Sequence, residues 1–283
     1  MSDHPLRFGL KLAQMNCSLD DLRAVWRVAD DAGFDHVWAF DHLNPIRSDP
    51  DGVVWEGWTL LAAMAVATRR ARVGLMVTSN TYRHPGVLAK MGATVDHLSE
   101  GRLEFGFGAG WAEVEHTMIG LEFPPVRERI ERLDEACELL KRLWTGRPAD
   151  FEGRYYRLTG ATHNPPPLQQ PHPPIWIGGS GERRTLRVVA RHADVWNVGG
   201  GEVEEAIRKG QVLDRHCEAV GRDPGEIRRS VQLSFDGDVD GALTQLDGFV
   251  RAGFTELVLY LAGPDGAAQG ELLAERVLPR FKD

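Results

Sequence analysis

Four short runs of this chain gather residue types that can do chemistry: Asp41-His42, Thr78-Ser79-Asn80-Thr81-Tyr82-Arg83-His84-Pro85, Gly106-Phe107-Gly108-Ala109-Gly110-Trp111, and Gly178-Gly179-Ser180-Gly181. An imidazole titrates near neutrality, so His42 can donate or accept a proton, or hydrogen-bond a bound ring. Asp41 can accept ring hydrogen bonds or support a neighbour's charge. The plainer reading of the pair is a helix cap at Asp41 and a surface histidine. The second run is denser in hydrogen-bonding groups than a connector needs. Thr78 and Asn80 are its candidate cofactor contacts, and Arg83 can pair with an anionic cofactor group. In an ordinary polar loop, Thr81 or His84 would sit near the next helix cap, with Pro85 in its first turn.

The two glycine runs suit close approach by a ligand. Gly108, Ala109 and Gly110 let backbone come near a flat ring or a phosphate, with Trp111 as a wall. The run is not a dinucleotide fingerprint, because Trp111 stands at the last required glycine. Gly178, Gly179, Ser180 and Gly181 precede a helix expected to open at Glu182–Arg184, whose exposed N–H groups favour an anion; Ser180 adds a hydroxyl. A tight turn without a ligand competes with both readings.

Several chemistries lack their residues. FGLKL has no His-x-His, and neither HExxH nor CxxC occurs, so no metal site is expected. GGSGE misplaces the serine for a hydrolase elbow, and the strand ending in GAGW carries no carboxylate for a glycosidase pair. What survives has aromatic walls, glycine turns and one anion pocket, and suits a bulky flat cofactor with a phosphate tail.

Those runs need elements to position them, and apolar strands alternate with helix-periodic stretches along the chain. Strands are expected at Leu6–Leu10, His36–Phe40, Arg72–Val77, Arg102–Phe107, Ile175–Gly178, Asp194–Val198, Ile227–Leu233 and Glu256–Tyr260. Helices fall between them, the longest at Arg127–Trp144. Residues Thr145–Pro174 break the pattern: FEGRYYRL reads as a hairpin and NPPPLQQPHPP as a stiff, extended run. ADDAGFDHVWAF and VRAGFTELVLYL form a faint repeat, each a helix closing on Ala-Gly-Phe before a strand. Eight such units predict one (β/α)8 TIM barrel domain over residues 1–283, with the excursion before the fifth strand; a doubly wound sheet is the alternative. In a barrel the strand-to-helix loops form the active face, and all four runs lie on them.

Composition sets the outer limits. A chain of 283 residues with 42% hydrophobic and 26% charged residues is that of a globular protein. A net charge of -8 disfavours a general nucleic-acid surface. No membrane span and no signal peptide are expected. Cys17, Cys137 and Cys217 are far apart and odd in number, which suggests a reducing cytoplasm.

AGFDHVWAFDH, VTSNTYRHPGVLAKMGATVDHLSEGRLEFGFGAGW and PPIWIGGSGERRTLRVVARHADVWN resemble the luciferase-like oxidoreductases, most closely the branch that uses the deazaflavin F420, with FMN as the alternative cofactor. The resemblance covers nearly the whole chain. It implies the barrel with its excursion, and a cis peptide at Met76–Val77 bulging against the back of the ring. It also implies a ring near Asp41-His42 and Gly108–Trp111, a phosphate near Gly178–Gly181, and a homodimer. The implied activity is hydride transfer between deazaflavin C5 and a small organic substrate. An FMN-dependent monooxygenase and a non-catalytic flavin-binding barrel are the alternatives. Sugar-phosphate dehydrogenases of this family place a glutamate where this chain has Trp111 and a tryptophan where it has Ile46. Those departures favour an apolar or aromatic substrate.

Overall fold

The alternating strands close on themselves. The computed structural model describes residues 4–46, 49, 51–261 and 263–282. In chain order the elements are β1 (Arg7–Leu12), α1 (Leu19–Asp31), β2 (His36–Ala39), α2 (Gly57–Ala67), β3 (Arg72–Leu75), β4 (Thr78–Ser79), α3 (Pro85–Leu98), β5 (Leu103–Gly108), α4 (Glu113–Ile119) and α5 (Val126–Trp144). They continue with β6 (Ala149–Glu152), β7 (Arg157–Ala161), β8 (Ile175–Gly178), α6 (Thr185–His192), β9 (Val195–Gly199), α7 (Val203–Ala219), β10 (Arg228–Ser234), α8 (Val239–Arg251), β11 (Glu256–Leu261) and α9 (Gly266–Arg276).

The sheet runs β3-β2-β1-β11-β10-β9-β8-β5, and a β3–β5 pairing closes the ring. Every pairing in it is parallel. The two residues of β4 carry on from β3 after a break and pair with the end of β5. The expected strand Arg72–Val77 therefore stops at Leu75, because Met76 and Val77 leave the ladder. As expected, an antiparallel hairpin of β6 and β7 lies outside the barrel before its fifth strand. The proline run is not one extended rod: its Asn164–Pro165 and Gln170–Pro171 bonds are cis.

Local chemistry explains the boundaries. Ser18 and Asp21 form a reciprocal capping box at the start of α1. His84 Nδ1 accepts from the Gly86 N–H at 3.0 Å, and Pro85 takes the first turn of α3. Gly33 and Gly253 close α1 and α8 in the left-handed region at φ +93° and +85°, and the phenylalanines after them are fully buried.

The core has two layers. Aliphatic and aromatic side chains fill the space between barrel and helices, while Trp38, Met76, Trp176, Val195 and Val258 pack inside the barrel. The interior also holds charge. Trp38 Nε1 donates to His36 Nδ1 at 2.6 Å, so His36 donates through Nε2 to Glu256 at 3.1 Å. Arg228 pairs with Glu256, and Arg72 with Glu104, which also accepts from Trp176 Nε1. Buried carboxylates persist only with such partners. Among the described residues no helix is long and apolar enough to cross a membrane.

Candidate active site

The loops after β2, β3 and its continuation β4, β5, β8 and β9 surround a cavity of about 490 Å³ at one end of the barrel. Asp41, His42, Met76, Val77 and Thr78 line it from one side; Gly108, Ala109, Gly110, Trp111, Gly178 and Gly179 line it from the other. Three expected contacts lie elsewhere. Ser180 and Gly181 border an adjoining cavity of about 540 Å³, which shares Val126, Ile130 and Thr185 with the first. Asn80 borders a third, smaller hollow beside Tyr156, and its backbone N–H donates to the Gly108 carbonyl at 2.9 Å.

The end of β2 is clamped. Gln14, fully buried, accepts from the Phe40 N–H at 2.9 Å and donates to the Phe40 carbonyl. Asp41 follows, buried, with its carboxylate gripped by both Arg83 Nη1 (2.7 Å) and Nη2 (3.0 Å) and by the Ser79 N–H (3.1 Å). Burial pushes the Asp41 carboxyl above its ordinary value, against the pull of Arg83. Arg83 also reaches Glu56 at 2.7 Å. Arg83, expected to pair with a cofactor anion, is held in the structure by two carboxylates. Asp41 supports a neighbour's charge and caps no helix.

His42 is mostly buried, not a surface residue. Its Nδ1 lies 2.7 Å from Glu115, and its ring stands edge-on to Phe40 and to Trp111, at 5.0 and 5.5 Å. Glu115 also accepts from the Leu43 and Asn44 backbone N–H groups, at 2.6 and 3.0 Å, and from the Tyr82 hydroxyl. Burial by itself would raise the Glu115 carboxyl, but the donors outweigh it and hold it at about 2. With Nδ1–H donated to that carboxylate, Nε2 is the nitrogen left for a ligand. The neighbouring His116 is structural: it bridges the Ala112 carbonyl and Thr81, both at 2.7 Å.

Met76–Val77 is a cis peptide, as the resemblance implies, and three glycines make room for the ledge it forms. A Cβ at Gly106 would stand 1.9 Å from the Leu75 carbonyl, one at Gly108 2.7 Å from Val77 Cγ2, and one at Gly178 3.2 Å from Val77 Cγ1. Gly108 thus admits Val77 as well as bordering the cavity. Gly110 lies at φ +77°, with Ser79 and Thr81 hydroxyls crowding the place of its absent Cβ. Arg129 fixes this turn by donating to the Gly110 carbonyl and, at 2.9 Å, to that of Pro124.

After β8 the helix opens at Thr185, not at Glu182–Arg184, which forms an intervening turn. Arg183, Arg184 and Lys209 border the adjoining cavity there, and Lys209 Nζ lies 3.3 Å from Ser180 Oγ. Sequence reasoning missed Lys11, Glu115, Asn197 and Gln232, and gave Tyr82, part of the second run, no role of its own. Lys11 had a signal, a charge directly after the apolar run Phe8-Gly9-Leu10 and followed by Leu12-Ala13; it donates to the Met76 carbonyl at 3.0 Å and to Gln232 Oε1 at 2.7 Å.

A family model described as luciferase-like monooxygenase matches residues 4–270. The chain belongs to the luciferase-like monooxygenase family. The chain is 35% identical to an F420-dependent glucose-6-phosphate dehydrogenase of Microbacterium testaceum, over 84% of this chain and 71% of that protein. It is 31% identical to an F420-dependent hydroxymycolic acid dehydrogenase of Mycobacterium tuberculosis, over 80% of this chain and 61% of that protein. The structure of an F420-dependent secondary alcohol dehydrogenase with an F420-acetone adduct superposes with a TM-score of 0.88. That pair shares 19% identity over 99% of this chain and 100% of the other, a likeness of fold. The luciferase-like barrel, with its helices and closed parallel sheet, is thus the architecture of this chain.

Proposed function

We propose that this chain is an F420-dependent oxidoreductase moving a hydride between deazaflavin C5 and an organic alcohol or carbonyl compound. The observation that carries the reading is the Met76–Val77 ledge, framed by Gly106, Gly108 and Gly178, at a cavity of about 490 Å³. Such a ledge offers a flat ring a backing, and the volume fits a fused-ring ligand. The relatives named as F420-dependent support the choice of ring. When bound, the deazaflavin supplies the hydride chemistry. This chain's share is to place the ring on the ledge, shield it with Trp111, and hold a proton at His42 Nε2 for the substrate oxygen. Glu115 keeps His42 oriented for that transfer.

The phosphate end of the cofactor is assigned to the Ser180–Gly181 turn, where Arg183 and Arg184 supply positive charge and Lys209, paired with Glu205 at 3.2 Å, adds a third cation beside Glu182 and Glu205. The relatives named as glucose-6-phosphate dehydrogenases do not carry their substrate over. Trp111 stands at the glutamate position, and the nearby Arg83 and Arg129 are already engaged. An apolar or aromatic body beside Trp111 fits better. The family resemblance extends the reading to a single-domain cytoplasmic homodimer, which light scattering on the purified protein checks for mass.

Titration of the purified protein with F420 and with reduced FMN tests the reading. Micromolar or tighter F420 binding, followed by turnover on an alcohol and ketone panel, is the expected result. Tight FMN binding without F420 binding would replace it with the monooxygenase alternative. Binding without turnover would favour a non-catalytic flavin-binding barrel.

A further inference from the structure

Lys11 lies near the end of the first barrel strand, buried, on the cavity wall, and its hydrogen bonds run to two neutral oxygens: the Met76 carbonyl and Gln232 Oε1. A buried ammonium gives up hydration that neutral acceptors only partly replace, so it calls for a counter-charge. The ionisable neighbours do not provide one. Tyr260 on β11 offers its ring, 5.4 Å away, and burial keeps its phenol above the ordinary value and hence neutral. Asp41 beyond β2 is matched by Arg83, and His42 sits on Glu115. The ends of β5 and β8 bring glycines, β9 brings Asn197, and β10 brings the Gln232 amide.

We propose that Lys11 is the counter-ion for a negatively charged ring edge, so that the cavity binds its ring cofactor as an anion and keeps a proton on Lys11 while it is bound. This rests on the ring-cofactor reading above. Gln232 narrows the ligand class: its oxygen accepts from Lys11, which leaves its amide N–H groups as donors beside the ammonium. Two adjacent donors, one of them charged, match a pyrimidinedione edge, where a ring nitrogen and its neighbouring carbonyl share delocalised charge. The Met76 carbonyl on the same ammonium ties that charge to the ledge.

The coupling has a definite sign. Without ligand, burial lowers the Lys11 ammonium to about 7. An anion in contact raises it, so binding above neutrality takes up a proton, whereas below neutrality the proton is already there. The share of uptake due to Lys11 is ~0.9 proton per ligand at pH 8 and ~0.1 at pH 6.

Isothermal titration calorimetry with oxidised F420 reads this directly, using wild type and Lys11→Met, each in two buffers of different ionisation enthalpy. Subtracting the variant removes proton exchange that does not depend on Lys11. The expected difference is close to the values above, with affinity roughly tenfold weaker in the variant at pH 6. Equal uptake in the two proteins at pH 8 overturns the assignment and leaves the cofactor reading standing. A folded wild type that binds neither F420 nor FMN overturns both. Should Lys11→Met fail to fold, Lys11→Gln keeps a donor for the Met76 carbonyl and gives the same subtraction.

Discussion

His42 Nδ1 stands 2.7 Å from a carboxylate oxygen of Glu115, although 73 residues separate them in the chain. The contact joins the loop after β2 to helix α4 and leaves Nε2 as the nitrogen for a ligand. General acid–base groups typically contribute ~10²–10⁴ in rate, so His42→Ala should lower kcat by an amount in that range. Glu115→Gln, which keeps the shape but loses the charge, should lower kcat by roughly tenfold to a hundredfold. Steady-state kinetics with circular dichroism checks both, and an unchanged kcat in folded His42→Ala protein removes the residue from the mechanism.

The same carboxylate carries a pH signature. Its folded value of about 2 lies below that of an unfolded glutamate. The stabilisation is therefore full above the unfolded value and is lost as pH falls toward the folded one. Between about pH 4.5 and pH 2, the wild-type melting temperature should fall more steeply than that of Glu115→Gln. Parallel slopes in differential scanning calorimetry would show that Glu115 contributes nothing to acid stability.

Gly106 and Gly108 are two residues apart, and alanine should damage different things at each. At Gly106 the new Cβ would meet a backbone carbonyl at 1.9 Å, inside the barrel wall. At Gly108 it would meet Val77 Cγ2 at 2.7 Å, a side chain on the ledge. Overpacking costs about 1–3 kcal/mol where side chains can move and more where backbone must. Gly106→Ala should lose stability in urea unfolding. Gly108→Ala should stay folded and bind F420 at least roughly tenfold more weakly, because the ledge is displaced. Unchanged F420 affinity in folded Gly108→Ala protein would separate Val77 from the ligand.

What could be seen in the sequence followed from local rules, and what could not followed from inverted ones. His84-Pro85 fixes the start of α3, and Gly33 and Gly253 fix two helix ends, because caps and left-handed turns depend on nearby atoms. Asp41-His42 is visible as a strand end, yet neither partner is, since Arg83 and Glu115 arrive through tertiary folding. Helix α4 is the clearest reversal. It turns Val114 and Met118 outward at 63% and 62% exposure and buries Glu115 and His116. Amphipathic reasoning assigns the opposite face to the core, so the carboxylate that orients His42 reads as a solvent residue.

Trp111 is 57% exposed at the cavity mouth. Surface substitutions away from caps and buried pairs usually change stability by no more than about 0.5 kcal/mol. The edge-on contact of Trp111 with His42 adds about 0.5–1.5 kcal/mol, so Trp111→Ala should lower the melting temperature only slightly. It should raise KM for aromatic substrates by roughly tenfold with a much smaller change in kcat, since an aromatic contact helps hold the substrate more than it helps the transition state. A panel of alcohols and ketones with and without aromatic rings measures this, and a uniform loss of kcat would place Trp111 in the chemistry instead.

The Asp41–Arg83 pair is the point where site and fold depend on each other. Both members are largely buried, with side-chain exposures of 0% and 17%, and the contact is bidentate. Removing one member of a buried pair leaves the other charge uncompensated, at a cost of about 3–5 kcal/mol. Asp41→Ala strands Arg83 beside Glu56 alone, so it should shift the urea midpoint well below that of wild type. Arg83→Met should do the same. Because Arg83 is held by carboxylates and does not border the turn at Ser180, its loss should weaken F420 and FMN alike through the ledge. It should leave the preference for a phosphorylated ligand as large as in wild type. Comparing FMN with riboflavin on wild type and Arg83→Met decides the matter: if the variant loses the preference for the phosphorylated ligand, Arg83 binds the anion after all.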